Sequence, residues 1–310
     1  MSRESTETRI VTDGITDLLS PVRNEPSIVV VPCPVRIGRE TYVSSLVRLD
    51  QLAADKSPEV SAPSYGEFLR EYQNLASCNV VSVHPPRTLH GVSHQARLAR
   101  HLLYPQASGN VVIFEAKTVD SAVGFLVRVA SETARDPKGY EVGQILVTLH
   151  LLQTELIKTF LVTRSIAPLV GRLGLSRWER LQSRIPGKEF LLDFNTSSSY
   201  FRLLARRSGF SYNLAQWEQF LEDVHRPCQI RIRHRGFGQA VQLLRDQLAN
   251  AFQPQAIQVQ MTSVSGVSYP KEFVEVTFYP TEKEIENTRE FAARVWKTYS
   301  AFPSGTPLTM

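Results

Sequence analysis

The hydrophobic positions along this chain switch between two periods. In the first half, short β-rich runs at Arg9 to Thr12, Ser27 to Val31, Asn79 to Val83 and Asn110 to Phe114 alternate with segments whose apolar residues recur at helical spacing. Those segments carry Tyr65, Phe68, Leu69, Tyr72 and Leu75; then Leu89, Val92, Ala96, Ala99 and Leu103; then Val119, Ala122, Val123, Leu126, Ala130 and Ala134. The alternation predicts βαβ units and a largely parallel sheet with helices on its faces. A further helical stretch, Val142 to Leu156, leads through the run Lys158 to Val162 into a glycine-rich, basic connection from Ser165 to Gly174. Beyond it, strands are expected at Glu189 to Phe194, Gln229 to Arg233, Ile257 to Gln260 and Phe273 to Phe278. Helices are expected through Leu214, Trp217, Phe220, Leu221 and Val224, and through Val241, Leu244, Leu248 and Phe252. Ile230 and Ile232 alternate with Arg231 and Arg233, which predicts one buried and one wet face for that strand. Thr281 to Ser300 is charged but carries Ile285, Phe291, Ala292, Val295, Trp296 and Tyr299, so an appended helix is expected, followed by a fraying tail. The fold class expected is α/β in two domains. A parallel-sheet α/β domain takes residues 1–160, a smaller α+β domain 161–280, and the helix and tail 281–310.

Length and composition agree with this division. At ~150 residues per domain, 310 residues make two domains, and 42% hydrophobic with 21% charged residues excludes disordered and fibrous architectures. Apolar runs such as Ile28 to Val31 fall far short of the ~20 residues of a membrane span, and Met1 to Arg9 contains no apolar signal region, so a cytoplasmic protein without integral membrane association is expected. Cys33, Cys78 and Cys228 are odd in number and far apart, which fits buried thiols better than disulfides or a paired metal site. The net charge of +5 is spread along the chain and permits an anionic partner without requiring one.

Few constellations carry chemistry. Thr12 and Asp13 close the first strand, with Asp17 four residues on; two acids so spaced can hold a cation, but such residues at a strand end more often form turns and N-caps. Ser64 with Glu67 has the form of a capping box, and hydroxyls among free N–H groups at a helix start also suit an anion. Arg87, His90, His94, Arg97 and His101 have a 3-4-3-4 spacing that places all five on one helical face opposite Leu89. That face reads as solvated, with an anionic head group at the helix start near Arg87 and Thr88 as the sharper reading. His90 and His94 could share a metal, yet no neighbouring carboxylate or thiol completes a zinc set. Arg231, Arg233, His234 and Arg235 form a second basic cluster without interleaved aromatics, for which surface exposure is expected rather than nucleic-acid binding. No nucleophile elbow, phosphate loop, H-E-x-x-H or G-x-G-x-x-G motif is present, and Gly236, Phe237 and Gly238 form only a short G-x-G.

Taken in order, these residues resemble the DegV family, two-domain α/β proteins that bind one long-chain fatty acid in a cleft between the domains. Ile10, Val11, Thr12 and Asp13, with Asp17 and Leu18, are similar to the family's T-D-S-x-x-D-L start. Val30 to Tyr42, V-V-P-C-P-V-R-I-G-R-E-T-Y, resembles its V-V-P-L-x-V-x-x-G-x-E-x-Y segment, and Ser61 to Ser64 its T-S-x-P-S turn. Leu89, His90, Gly91 and Ala96 fall on S-S-x-L-S-G and a following alanine, Val111 to Gly124 on the D-S-x-x-x-S-x-G-x-G region, and Gly171 to Gly174 on G-R-I-G. The likeness spans Arg9 to Phe278.

The departures fall on the acid-binding positions. Family members hold the carboxylate with a hydroxyl at the S-x-P-S turn, a serine of the S-S-x-L-S-G loop and a histidine in a C-terminal G-x-H-x-G-P-G. Ser61 keeps the first hydroxyl, but Pro86 and Arg87 replace the paired serines, Val267 the histidine, and Tyr269 a glycine; Gly14, Ala116 and Asp120 replace further serines. The resemblance thus implies a ligand site of Thr12, Asp13, Ser61, Arg87, Thr88, Leu89, Gly91, Arg172 and Val267. It implies no catalysis and no cofactor or metal, a fatty acid as ligand, and a fatty-acid kinase as partner. Burying a sixteen-carbon chain contributes on the order of 10 kcal/mol, so the tail supplies most of the affinity, while Arg87 is expected to replace the lost hydroxyls and histidine by a charge-assisted contact. The cationic stripe from Arg87 to His101 is expected as a docking surface for the partner. Two alternatives stand beside this reading: an enzyme or sensor for a small anionic metabolite, using Thr12, Asp13, Arg87 and Arg172 around the cleft, and a lipid-free interaction module using Trp296 and Tyr299.

Overall fold

In the computed structural model, residues 7–16, 18, 22, 24–43, 59–103, 110–166, 169, 188–222, 224, 228–261 and 272–300 are described. The chain opens with β1 (Thr8–Asp13) and β2 (Ile28–Val31), then a small antiparallel sheet of β3 (Pro34–Ile37), β4 (Glu40–Val43) and β5 (Glu59–Val60). Helix α1 (Tyr65–Asn74), β6 (Asn79–His84), α2 (Val92–Leu102), β7 (Val111–Glu115), α3 (Asp120–Ala134) and α4 (Val142–Leu151) follow, the last prolonged by a π-helical turn, Leu152–Leu156. Strands β2, β1, β6 and β7 lie in that order in an all-parallel sheet. Ile10, Val81 and Val83 pack on one face with Leu126 and Ile145, while Val11 and Val80 pack on the other with Phe68, Tyr72, Ala96 and Ala99. Both faces are buried, which is why these strands read as nearly continuous aliphatic runs.

The second unit holds β8 (Lys158–Thr163), β9 (Glu189–Asn195), β10 (Tyr200–Arg207), a 3-10 helix (Leu214–Phe220), β11 (Gln229–Arg235), α5 (Gly238–Phe252), β12 (Ala256–Met261) and β13 (Phe273–Tyr279). They form one mixed sheet in the order β10-β9-β8-β13-β11-β12. One face, with Phe160, Val162, Ile230, Ile232, Val274 and Val276, packs on Trp217, Val241 and Leu244. The other turns toward the first unit, where Ser121 of α3 donates to Glu275 and lies 3.2 Å from the Thr277 hydroxyl.

Several expectations are corrected here. The boundary at residue 160 falls inside β8, whose partners all belong to the six-stranded sheet; the change of sheet lies before Lys158. The alternating arginines have no wet face, because both sides of β11 are covered: Arg231 is 6% and Arg233 1% exposed, and the Arg233 guanidinium lies 3.4 Å from the Glu275 carboxylate. The segment from Leu214 is a 3-10 helix ending at Phe220, with Leu221 and Val224 beyond it. The last helix, α6 (Glu282–Ser300), is built into the first unit: Ile285 lies in the core of that unit, and Trp296 covers Gly143 of α4 and donates to Glu141 at 2.9 Å. Among the described residues the chain passes between the units at Ile157, entering β8, and at Pro280, leaving β13, and these two strands are neighbours with Lys158 opposite Phe278. Among the described residues no helix is long and apolar enough to cross a membrane. The tail beyond Ser300 and the Tyr299 side chain lie outside the described residues.

Candidate functional site

In a sheet ordered β2-β1-β6-β7 the chain winds outward from β1 in one direction to β2 and in the other to β6 and β7. Open parallel sheets bind ligands at such a switch point, in the crevice beyond the carboxyl ends of the diverging strands. Thr12 and Asp13 end β1 here, and Ser82 and His84 end β6, all four with no exposed surface. The Thr12 hydroxyl donates to the Val83 carbonyl at 2.9 Å, tying the two strand ends together. Asp13 accepts the amides of Ile15 and Thr16 on Oδ1, at 3.0 and 3.2 Å, and holds His84 Nδ1 at 2.8 Å on Oδ2. The turn role expected of Asp13 is thus realised within an enclosed polar cluster. Asp17 lies outside the described residues.

Cys33 joins the small sheet to this loop. Its sulfur receives the amides of Gly14 and Ile15, while burial first and the Asp13 charge second push its thiol well above the usual range. The neighbouring Pro34 carbonyl accepts the amide of Ser61 at 2.9 Å, which fastens the exposed Ser61 segment to the same edge. Ser64 and Glu67 then form the expected capping box at the start of α1.

The connection after β6 forms the next wall. The Pro86 carbonyl accepts the amides of Leu89 and His90, at 2.9 and 3.1 Å, in a tight turn that delays the helix to Val92, with Gly91 as its N-cap. This corrects the expected five-residue stripe: Arg87 and His90 precede α2, His90 is buried, and only His94, Arg97 and His101 ride on the helix. Glu115 at the end of β7 clamps the turn, accepting the Arg87 amide at 2.9 Å on one oxygen and pairing with Arg97 at 2.7 Å on the other. The Arg87 side chain is exposed. Thr88 donates to the Ser199 carbonyl at 2.5 Å, reaching the β9–β10 turn of the second unit. Leu89, 2% exposed, enters an apolar cluster shared by both units, with Val119, Leu161, Leu192, Phe201 and Phe273.

The structure therefore brings Thr12, Asp13, Ser61, Arg87, Thr88, Leu89 and Gly91 to one edge of the parallel sheet, while Arg172 and Val267, like Tyr269, lie outside the described residues. The sequence reading missed Tyr72, Ser82, His84, Glu115 and Ser199. The signal for Ser82 and His84 was present: two polar residues in a strand whose neighbours are aliphatic on both faces.

A sequence model described as uncharacterised protein, DegV family, matches residues 7–280. Among curated proteins, a DegV domain-containing 15.5 kDa protein of Staphylococcus aureus is 27% identical over 126 residues, 38% of this chain and 87% of that protein. A longer DegV domain-containing protein of the same species is 25% identical over 177 residues, 54% of this chain but only 61% of its own length. Among solved structures, a fatty acid binding DegV family protein from Streptococcus agalactiae superimposes with a TM-score of 0.74 at 19% identity, covering 89% of this chain and 100% of that one. The B3 protein of Streptococcus pneumoniae fatty acid kinase, loaded with linoleic acid, gives 0.70 at 17% identity over the same shares. Bacillus subtilis DegV, a fatty acid binding protein, gives 0.69 at 17%, again over 89% and 100%. At such identities these structures share the fold, and with the family match spanning both units, this chain belongs to the DegV family.

Proposed function

We propose that this chain is a non-enzymatic carrier that encloses a long-chain fatty acid between its two units and presents the carboxylate to a partner kinase. The observation that carries the reading is the polarity of three consecutive residues at the switch point: an exposed guanidinium at Arg87, a hydroxyl on the unit boundary at Thr88, and a side chain in the shared apolar cluster at Leu89. An amphiphile with an anionic head and a long tail matches that sequence of environments. Similarity to proteins named for fatty acid binding, and to a kinase component loaded with linoleic acid, supports the same ligand and the same kind of partner. Ser61 and Arg87 hold the head group, and the cluster around Leu89 takes the tail. The ligand needs no cofactor or metal.

Native mass spectrometry of the purified protein, with organic extraction and identification of what is released, tests this. A stoichiometric fatty acid is the expected result; an apo mass that persists after incubation with mixed fatty acids overturns it. Because a hydrogen bond to a charged group contributes about 1.5–3 kcal/mol, Arg87→Ala is expected to weaken acid binding by about tenfold or more, read as displacement of a fluorescent fatty acid.

A further inference from the structure

Behind the loops of the switch point runs a buried chain of polar side chains that the head-group contacts of Ser61 and Arg87 do not use. Tyr72 of α1 lies 2.8 Å from the Ser82 hydroxyl, Ser82 lies 2.7 Å from His84 Nε2, and His84 Nδ1 lies 2.8 Å from Asp13 Oδ2. Tyr72 is 1% exposed and the other three are fully enclosed. Phe68 meets the imidazole edge-on, with ring centroids 5.0 Å apart.

The donors and acceptors fix the order of protons. A carboxylate only accepts, so Nδ1 must carry the proton facing Asp13. In the neutral ring Nε2 then accepts from Ser82, whose oxygen accepts from Tyr72. This is the one arrangement in which each hydroxyl proton and the ring N–H find an acceptor within the chain. The connectivity of Asp13, His84 and Ser82 is that of a hydrolase triad, but Ser82 has no exposed surface and its oxygen is already occupied by Tyr72, so no substrate can reach it.

We infer that this chain of hydrogen bonds sets the spacing between the walls of the head-group site, with His84 as its central positioning residue. The inference rests on the acid-binding reading above. Each wall is tied to one member. Tyr72 belongs to the helix that begins just after Ser61, and His84 immediately precedes the turn carrying Arg87 and Thr88. Asp13 holds the amides of Ile15 and Thr16 in the loop after β1. Losing the imidazole frees the carboxylate, and with it that loop, without changing any ligand-facing residue itself.

The test begins with nitrogen-15 NMR of the native protein, where His84 is expected to carry a proton on Nδ1. Finding Nδ1 without a proton overturns the assignment. Next, amide exchange of Ile15 and Thr16 is compared with Tyr72→Phe, which keeps the ring and removes the end of the chain. Exchange at these two amides faster by about tenfold is expected, and unchanged exchange overturns the inference. Finally, binding of a fluorescent fatty acid is measured for His84→Leu and His84→Asn, with urea unfolding confirming that each is folded. A loss of about tenfold or more in His84→Leu, with His84→Asn restoring most of it by keeping a donor toward Asp13, is expected; equal binding by both folded variants overturns it. If the native protein binds no acid, the functional reading fails by itself, while the tautomer and exchange measurements still decide whether the chain orders the loops.

Discussion

Enclosure governs the chemistry of the single residues. Cys33 has no exposed surface, and burial together with the Asp13 charge holds its thiol in the protonated form, which is neither a nucleophile nor a metal ligand. Alkylation of the native protein at about pH 8, followed by peptide mass spectrometry, is expected to label half-buried Cys78 and spare Cys33 and Cys228. His234 is a second case. It is 8% exposed on β11, and burial lowers its pKa below the ordinary 6.5. Between the lowered value and 6.5 the unfolded chain binds more protons than the folded one, so the stability due to a neutral His234 is present above 6.5 and is lost as the pH falls through that window. The difference in urea midpoint between about pH 7.5 and about pH 5.5 is therefore expected to shrink in His234→Leu. Thr12 and Asp13 were legible as a strand end and turn, and Ser64 with Glu67 as a cap, because those roles depend on residues a few positions apart. The pairing of Asp13 with His84 and of Arg233 with Glu275 was not legible, since each joins strands far apart in sequence and no local spacing records which strands become neighbours.

At the scale of elements, periodicity carried most of the reading. Strands and helices of the parallel sheet stand within a few residues of expectation, because apolar runs buried on both faces and helices with one apolar stripe leave strong signals. Strand β10 left none: its pairing with β9 shifts register between Leu203 and Ala205, and this irregularity breaks the alternation from which a strand is read. The helix after β6 was expected one turn early because Leu89 continues its apolar stripe in sequence while packing in the cluster between units. Helix α6 shows how an element past the end of the family match is anchored. A Cβ placed on Gly143 would stand 2.1 Å from the Trp296 ring, so only glycine admits that contact. Gly143→Ala is expected to lower the stability by about 1–3 kcal/mol in urea unfolding, and Gly143→Ala combined with Trp296→Leu to lower it by less than the two single changes added.

For the whole molecule, the seam between the units is apolar around Leu89 and Phe273 and charged around Glu275, which meets Ser121 from one unit and Arg233 from the other. Removing one member of a buried ion pair leaves the other charge uncompensated. Glu275→Leu is therefore expected to cost about 3–5 kcal/mol in urea unfolding, and Arg233→Met in the same chain to recover most of it. The two passages across this seam among the described residues have a mechanical consequence. A body held at one point can swivel about three axes; held at two adjacent points, it keeps one free rotation, about the line through them. Here those points are Ile157 and Pro280, side by side at one end of β8 and β13. Five residues further along, at about 3.3 Å each, the Thr163 and Phe273 ends of the same strands sit on a lever arm of about 17 Å. A turn of a few degrees about that line would part Phe273 from Leu89 while hardly moving Lys158 and Phe278, so a seam opened in this way would part like a door, from the edge away from the hinge, with no strand unpaired.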